Sequence, residues 1–435
     1  MSDATSLSPL LRMSMPQVLL KVALPATASF MLNTVFGLVD AFWVGRLGSE
    51  AMAALSASSV VTWILYSVGS LGQVGAQALV SQAIGARNEG LARRAVWAAL
   101  LLHAAVAVVV LAPLFLFDGA LFGAMGLAPE VARGASDYLH PFLAGMALHY
   151  LGMVAMAAFH ATGNTRTPAL VLGAALLLNG ALDPLFIFGW GPVPALGLWG
   201  AGVATAISKV GMAGALLWLL WRRGLLDFSI RLRTRAMAAL ARQVLSAGLP
   251  IALNGVVFAS VYLVLIRILS GFGTVPVATL GIVHRIEGVA WFACVGFGVA
   301  AAALGGQLAG AGRSADAVRA VWQVNLWLSA GLLVVSAVYA LFGGPLVGLF
   351  SDDPAVIEEG ARYLLVVACC EVLMGWEVIF QEAMGAVGSS RAVFAIATPL
   401  TLLRIPLAWL LVVHLGLGAG AVWWAISLTT ALKGL

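Results

Sequence analysis

Charge is what this chain has least of. Only 9% of its 435 residues are Asp, Glu, Lys or Arg, against about 25% in soluble domains, while 62% are hydrophobic. With a mean hydropathy of +1.02, that shortage excludes a soluble globular enzyme and predicts an integral membrane protein. Cysteine is almost missing too. Cys294, Cys369 and Cys370 show no metal-ligand spacing and read as small apolar residues within helices. The six histidines are scattered, so no metal centre is expected from them. There is no His-Glu-x-x-His helix, no Gly-x-Gly-Asp loop and no Ser/His pair at helical spacing, which leaves an intramembrane enzyme without catalytic residues. Phosphate-cradling glycine loops are absent as well, so ATP-driven pumping would need a separate partner and no cofactor is called for. The net charge of +5 would suit nucleic acid, but the positive residues gather in connections between apolar segments, so no nucleic-acid partner is expected. Met1–Met15 is polar and lacks a small-residue cleavage site, so no removable signal peptide is read.

What the chain has in abundance is long hydrophobic runs. Twelve stretches, each near the roughly 20 residues a bilayer requires, lie near 17–44, 52–80, 95–117, 136–160, 167–188 and 197–221, then 244–270, 276–306, 320–343, 358–386, 392–414 and 418–434. They are continuous and do not alternate, which predicts helices and not the strands of a membrane barrel. The long second and eighth runs leave room for surface turns. Charges in the connections alternate. Arg87, Arg93 and Arg94 follow run 2, Arg166 follows run 4, and Arg222, Arg223, Arg231, Arg233, Arg235 and Arg242 follow run 6. Arg313, Arg319, Arg391 and Lys433 continue the series, with Arg12 and Lys21 ahead of it. Asp118, Glu130, Asp352, Asp353, Glu358 and Glu359 mark the opposite side, where Arg46, Arg133 and Arg362 are exceptions. The positive-inside rule then predicts both termini in the cytoplasm, which an even number of spans permits.

A shift of 225 residues superimposes the halves without gaps over most of their length. Leu24-Pro25 meets Leu249-Pro250, and Gly48 meets Gly273. Gln82, Gly85 and Ala86 meet Gln307, Gly310 and Ala311, and Arg94–Trp97 reappears as Arg319–Trp322. Tyr138-Leu139 meets Tyr363-Leu364, while Gly163 and Arg166 meet Gly388 and Arg391. The expected fold is therefore an all-α polytopic membrane protein, with twelve transmembrane helices in two six-helix lobes related by a parallel internal repeat. The lobes are read as 1–221 and 244–435, joined by an Arg-rich cytoplasmic linker at 222–243. Such a design offers a cleft that opens to either side. The plainer alternative is a repeat kept only for packing, as in a symmetric channel.

Function is sought where the repeat breaks. Asp40 corresponds to Leu265, Asn33 to Phe258 and Asp183 to Ala408, so each polar residue of the first half meets an apolar one in the second. A carboxylate at mid-membrane costs about 2.5–3.5 kcal/mol on insertion scales, so these acids mark an ion or substrate pathway by default. Asn33 and Asp40 share one helix face with Phe36 and Gly37 between them, and Asn179 and Asp183 share another. Pro184 and Pro25 free backbone carbonyls nearby. Two Asp–Asn pairs form a possible oxygen cage for H⁺ or Na⁺, the alternative being two acids satisfied independently. Phe36 and Gly37 of the first half and Glu287 and Glu377 of the second are read as substrate-cavity residues, with structural pairing of the glutamates to Arg404 as the alternative. Glu371 and Glu382 lie in the same span as Glu377, and Glu382 reads as interfacial. His160 is a packing residue or part of a gate. The 13 Met, 14 Trp and 19 Phe would suit an adaptable cavity, though most must face lipid or packed helices.

At these positions the chain resembles the multidrug and toxic compound extrusion (MATE) family. Val39-Asp40 leading to Gly45-Arg46-Leu47-Gly48, Gln82–Gly85, Gly163–Pro168, Asn179–Asp183, Pro194–Gly197 and Gly200–Thr205 carry the resemblance, which covers essentially the whole chain. It implies export of organic cations or amphipathic drugs in exchange for H⁺ or Na⁺ by a bacterial inner-membrane antiporter, most like the DinF-like branch. That branch implies a coupling-ion site of Asp40, Asn179 and Asp183 with Thr205, holding Na⁺ or a proton. Phe36 departs from relatives with a tyrosine beside the aspartate, which puts one hydrogen bond in doubt. Span 7 lacks the acid of certain Na⁺-coupled relatives, which favours H⁺. Drug-like substrates and membrane lipids are the expected partners, and a monomer the expected state. The rival reading is a lipid-linked oligosaccharide flippase, which wants a strongly cationic cavity for which only Arg267, Arg285 and Arg404 are candidates.

Overall fold

The computed structural model describes residues 8–228 and 234–435. Apart from one antiparallel bridge between Trp190 and Val193, regular structure among them is helical. In a bilayer every backbone N–H and C=O must be satisfied within its own segment, and an unbroken apolar run does so only as a helix. Twelve long helices follow the twelve runs. The first six are α1 Met15–Leu47, α2 Ser49–Gly85, α3 Glu89–Ala124, α4 Pro129–Ala161, α5 Arg166–Phe188 and α6 Gly197–Arg222. The second six are α7 Thr234–Ser270, α8 Thr274–Gly310, α9 Ser314–Gly348, α10 Pro354–Ala386, α11 Ser390–His414 and α12 Gly420–Gly434. The first eleven are long and apolar enough to cross a membrane. The twelfth has 15 residues, about 22 Å at 1.5 Å per residue, which falls short of a hydrocarbon core of about 30 Å.

Three local expectations change. The second and eighth runs contain no surface turn, because α2 and α8 continue as single 37-residue helices. The linker expected at 222–243 is helical from Thr234 onward, while Arg231 and Arg233 lie outside the described residues. The prolines act by widening helices. Pro25 has no N–H to offer the carbonyl four residues back, and α1 passes through a π turn at Leu19–Ala23, where the N–H of Leu24 reaches Leu19. Pro406 does the same to Leu402, so α11 breaks at Leu403 and restarts at Arg404.

The repeat also holds at the level of turns. Gly48 and Gly273 both adopt left-handed φ values, 113° and 99°, as do Gly163 and Gly388 at 81° and 87°. Arg87 at φ 55° is the repeat-mate of Gly312 at 74°. A conformation that favours glycine is thus kept where the residue is not.

The chain packs as two compact units, Ala28–Gly248 and the described residues through Thr27 together with Leu249–Leu435. The ends depart from the lobe ranges read from sequence, because the opening turns of α1 and α7 are exchanged. Gly296 of α8 is seated on Thr27, where a Cβ would overlap the threonine backbone and hydroxyl. Gly248 of α7 is seated on Leu71 of α2, where a Cβ would overlap the Leu71 carbonyl. Leu71 and Gly296 stand in the 225-residue register, while their partners Gly248 and Thr27 are four residues, about one helical turn, out of it.

Within Ala28–Gly248, α4 is the most enclosed helix. Its Gly145 and Gly152 lie against Ala206 and Ala213 of α6, a stripe of small residues in matching heptad register on both helices that brings the backbones close. α6 packs in turn along α5. In the other unit α10 packs between α8 and α9, with Gly375 under Leu332 and Leu328. Tyr363 stacks on Trp423 at 4.2 Å, and the Trp423 indole N–H donates to Glu359 at 2.7 Å.

Candidate functional site

Inside Ala28–Gly248, four helices aim polar groups at one point. Asp40 comes from α1, Tyr138 from α4, Asn179 and Asp183 from α5, and Thr205 from α6, each no more than 5% exposed. Tyr138 Oη donates to Asp40 Oδ2 at 3.1 Å and Thr205 Oγ1 donates to the same oxygen at 3.0 Å. Asn179 Nδ2 donates to Asp183 Oδ1 at 3.3 Å, and Thr205 Oγ1 lies 3.5 Å from the same nitrogen. The carboxyl groups of Asp40 and Asp183 lie within electrostatic range of each other. Two carboxylates that share a buried site cannot both ionise cheaply without a proton or a cation to offset them.

The unfilled capacity is of one kind. Asp40 Oδ1, Asp183 Oδ2 and Asn179 Oδ1 are buried without a hydrogen-bond partner. Each orphan is an oxygen acceptor in a setting where leaving one unmade costs about 1–3 kcal/mol. Hard oxygen donors of this sort suit a proton or a small cation such as Na⁺. No transition-metal chemistry is indicated, since no cluster of three or more His, Cys, Asp or Glu exists among the described residues.

Of the residues singled out from sequence, the structure gathers Asp40, Asn179, Asp183 and Thr205. It does not gather Asn33, which is exposed and donates to the Ser29 carbonyl one turn back at 3.2 Å. Gly37 is exposed and faces open space. Phe36 is buried, but against Lys209 and not in the carboxylate cluster. Glu287 and Glu377 belong to the other unit. There Glu377 is held by Lys433 at 2.5 Å and by Gln381 at 2.8 Å. Arg404, 1% exposed, donates to Thr429 at 2.9 Å, Thr430 at 2.6 Å and Tyr262 at 3.3 Å, and takes no glutamate as ion-pair partner among the described residues. Arg267 and Arg285 are exposed, whereas Arg404 is buried. His160 is fully buried in packed helix.

Two residues escaped the sequence reading. Tyr138 supplies the hydrogen bond that Phe36 left in doubt. Its match to Tyr363 served only as evidence of the repeat, and nothing in one sequence says that α4 passes beside α1. Lys209 had a plainer signal, a lone lysine at the centre of an apolar span. It is 4% exposed, with Nζ 4.3 Å from the Phe36 ring centroid and 5.4 Å from that of Tyr66. An ammonium at mid-span costs about 2.5–3.5 kcal/mol. Two cation–π contacts return about 0.5–2 kcal/mol each, so they do not clearly cover that cost.

Comparison with known proteins agrees with this architecture. The MatE family model matches residues 25–185 and again 250–410, two matches in the 225-residue register of the internal repeat. The chain is 28% identical over 414 residues to a Thermotoga maritima protein named as a probable multidrug resistance protein NorM, covering 93% of this chain and 87% of that one. It is 30% identical over 400 residues to a Shewanella oneidensis protein named as an FAD transporter, covering 90% and 87%. A solved outward-facing multidrug resistance MATE transporter of the MOP superfamily superimposes with a TM-score of 0.88 at 22% identity, over 98% of this chain and 94% of that chain. With one family model matching both halves of the repeat, the chain belongs to the MatE family and is a multi-pass membrane transporter, not an enzyme.

Proposed function

We propose that the protein is a secondary antiporter of the bacterial inner membrane that exports amphipathic, drug-like compounds, organic cations among them, in exchange for H⁺ or Na⁺. The observation that carries this reading is the trio of buried, unpartnered oxygens on Asp40, Asp183 and Asn179, a site shaped for a coupling ion. Similar proteins named for multidrug resistance or export support the drug-like cargo, and the relative named as an FAD transporter extends it to dinucleotides. The Arg-rich connections support cytoplasmic termini. The working unit is proposed to be a monomer in lipid.

In this mechanism a proton or Na⁺ entering from outside occupies the Asp40–Asp183 cluster and neutralises it. The tie between α1 and α6 through Thr205 then loosens, α1 bends at the π turn before Pro25, and the cavity releases its cargo outward. Loss of the ion to the cytoplasm resets the cycle. Efflux of a fluorescent lipophilic cation from proteoliposomes, under a proton or a Na⁺ gradient imposed separately, tests it. Gradient-driven efflux lost in Asp40→Asn and in Asp183→Asn supports the antiporter. Wild-type rates in both variants would sink it, and indifference to either gradient would favour the flippase.

A further inference from the structure

One helical turn beyond Thr205, α6 presents a second set of unfilled groups, and their chemistry is the inverse of the first. Lys209 sits 12 residues into the 26-residue α6, near mid-membrane. None of the ion pairs among the described residues includes it. Its Nζ lies over two aromatic faces, 4.3 Å from the Phe36 centroid and 5.4 Å from that of Tyr66. His149 of α4 packs edge-on against the same Tyr66 ring at 5.8 Å between centroids. Its Nδ1 is buried without a partner, and it lies within electrostatic range of Lys209. A lysine ammonium has donors and no acceptor, and imidazole and phenol can both donate. Among the described residues no carboxylate faces Lys209 at ion-pair distance. A buried cation with no counter-charge is an expensive arrangement unless a ligand brings the missing anion.

We propose that Lys209, with Tyr66 and His149, is an anion subsite for the exported compound, and that the protein accepts aromatic compounds bearing a carboxylate or phosphate. This deepens the exporter reading and rests on it for the word cargo. The Phe36 and Tyr66 rings supply flat apolar walls for an aromatic body, while Lys209 takes the charged group. An aromatic chain connects this subsite to the coupling cluster. Tyr138, which donates to Asp40, stacks on Phe142 at 5.9 Å, and Phe142 meets Tyr66 edge-on at 6.5 Å. Acceptors that need a cation and donors that need an anion thus stand one turn apart on α6. Selection for a purely cationic substrate would not place a lysine there.

The test uses two dyes with the same xanthene core and opposite charge, fluorescein as the anion and rhodamine 6G as the cation. Binding to the purified full-length protein is read by fluorescence anisotropy, without any ion gradient, so failure of the antiport reading does not disturb it. Lys209→Met keeps the length and apolar volume of the side chain, and Lys209→Arg keeps the charge. Fluorescein affinity is expected to fall about tenfold or more in Lys209→Met, the loss of one charge-assisted hydrogen bond, and to survive in Lys209→Arg. Rhodamine 6G is expected to bind Lys209→Met at least as well as wild type. Thermal unfolding of each variant shows that the binding species is folded. Absence of fluorescein binding in wild type, or equal losses for both dyes in a folded Lys209→Met protein, would overturn the proposal.

Discussion

Thr205 and Asp40 are 165 positions apart in the chain and 3.0 Å apart in space, and this bond ties α1 to α6. It is made to a carboxylate oxygen that also accepts from Tyr138, in a site with no exposed member. Thr205→Val preserves shape and removes the hydroxyl, which donates to Asp40 and accepts from Asn179 Nδ2 at 3.5 Å. A hydrogen bond to a charged group contributes about 1.5–3 kcal/mol, so ion-driven efflux is expected to slow about tenfold or more. Thr205→Ser should stay near wild type. Equal initial rates for valine and serine variants in proteoliposomes would show that the bond is not used.

Tyr138 has two jobs that one substitution separates. Its ring stacks on Phe142 at 5.9 Å with an interplanar angle of 23°, and its hydroxyl serves Asp40. Tyr138→Phe keeps the stack and deletes the hydroxyl. The expected outcome is unchanged thermal stability in detergent with a several-fold drop in gradient-driven efflux. A large loss of stability instead would make the hydroxyl structural.

Much of the fold was legible in the sequence because a bilayer leaves few choices. Continuous runs become helices, and gapless Arg, Trp, Gln, Tyr and Pro matches give away the repeat. Of the four gathered polar residues, Asp40 and Asp183 were visible because they break that repeat, and Asn179 because it stands one turn from Asp183. Thr205 came only through the family resemblance, since a threonine in a helix carries no cost that would mark it. Matching residues also concealed differences. Trp97 and Trp322 share the Arg94–Trp97 motif, yet Trp97 donates to the Asp227 carbonyl at 2.8 Å while Trp322 packs edge-on against Trp376 at 5.3 Å. Asn33 misled for the opposite reason. Seven residues from Asp40 places it on the same face, but its amide is satisfied by its own helix at Ser29, a bond that spacing cannot exclude.

The exchanged helix ends rest on two glycines, Gly296 of α8 and Gly248 of α7. A Cβ at Gly296 would overlap Thr27, and one at Gly248 would overlap the Leu71 carbonyl. Backbone cannot move aside as a flexible side chain can, so Gly296→Ala and Gly248→Ala should each cost about 1–3 kcal/mol through overpacking. Gly37→Ala, which meets nothing within 4 Å, is the internal control. Thermal unfolding in one detergent should rank the two packed variants below wild type and below Gly37→Ala. Unshifted midpoints for both would mean that the helix ends separate without loss.

Lys433 and Glu377 form the other buried charge pair, 2.5 Å apart with side chains 3% and 11% exposed. Such a pair contributes little net stability against well-packed apolar residues, yet breaking it from one side strands a charge at about 3–5 kcal/mol. Glu377 retains Gln381 at 2.8 Å, but a neutral amide does not replace an ammonium. Lys433→Met is therefore expected to lower the unfolding midpoint sharply, and Lys433→Met with Glu377→Gln to recover much of it. If efflux follows stability through this cycle, the pair is structural and Glu377 is no part of a substrate cavity. If the double variant is stable but does not transport, Glu377 acts on substrate directly, and the charge pair is the state in which it waits.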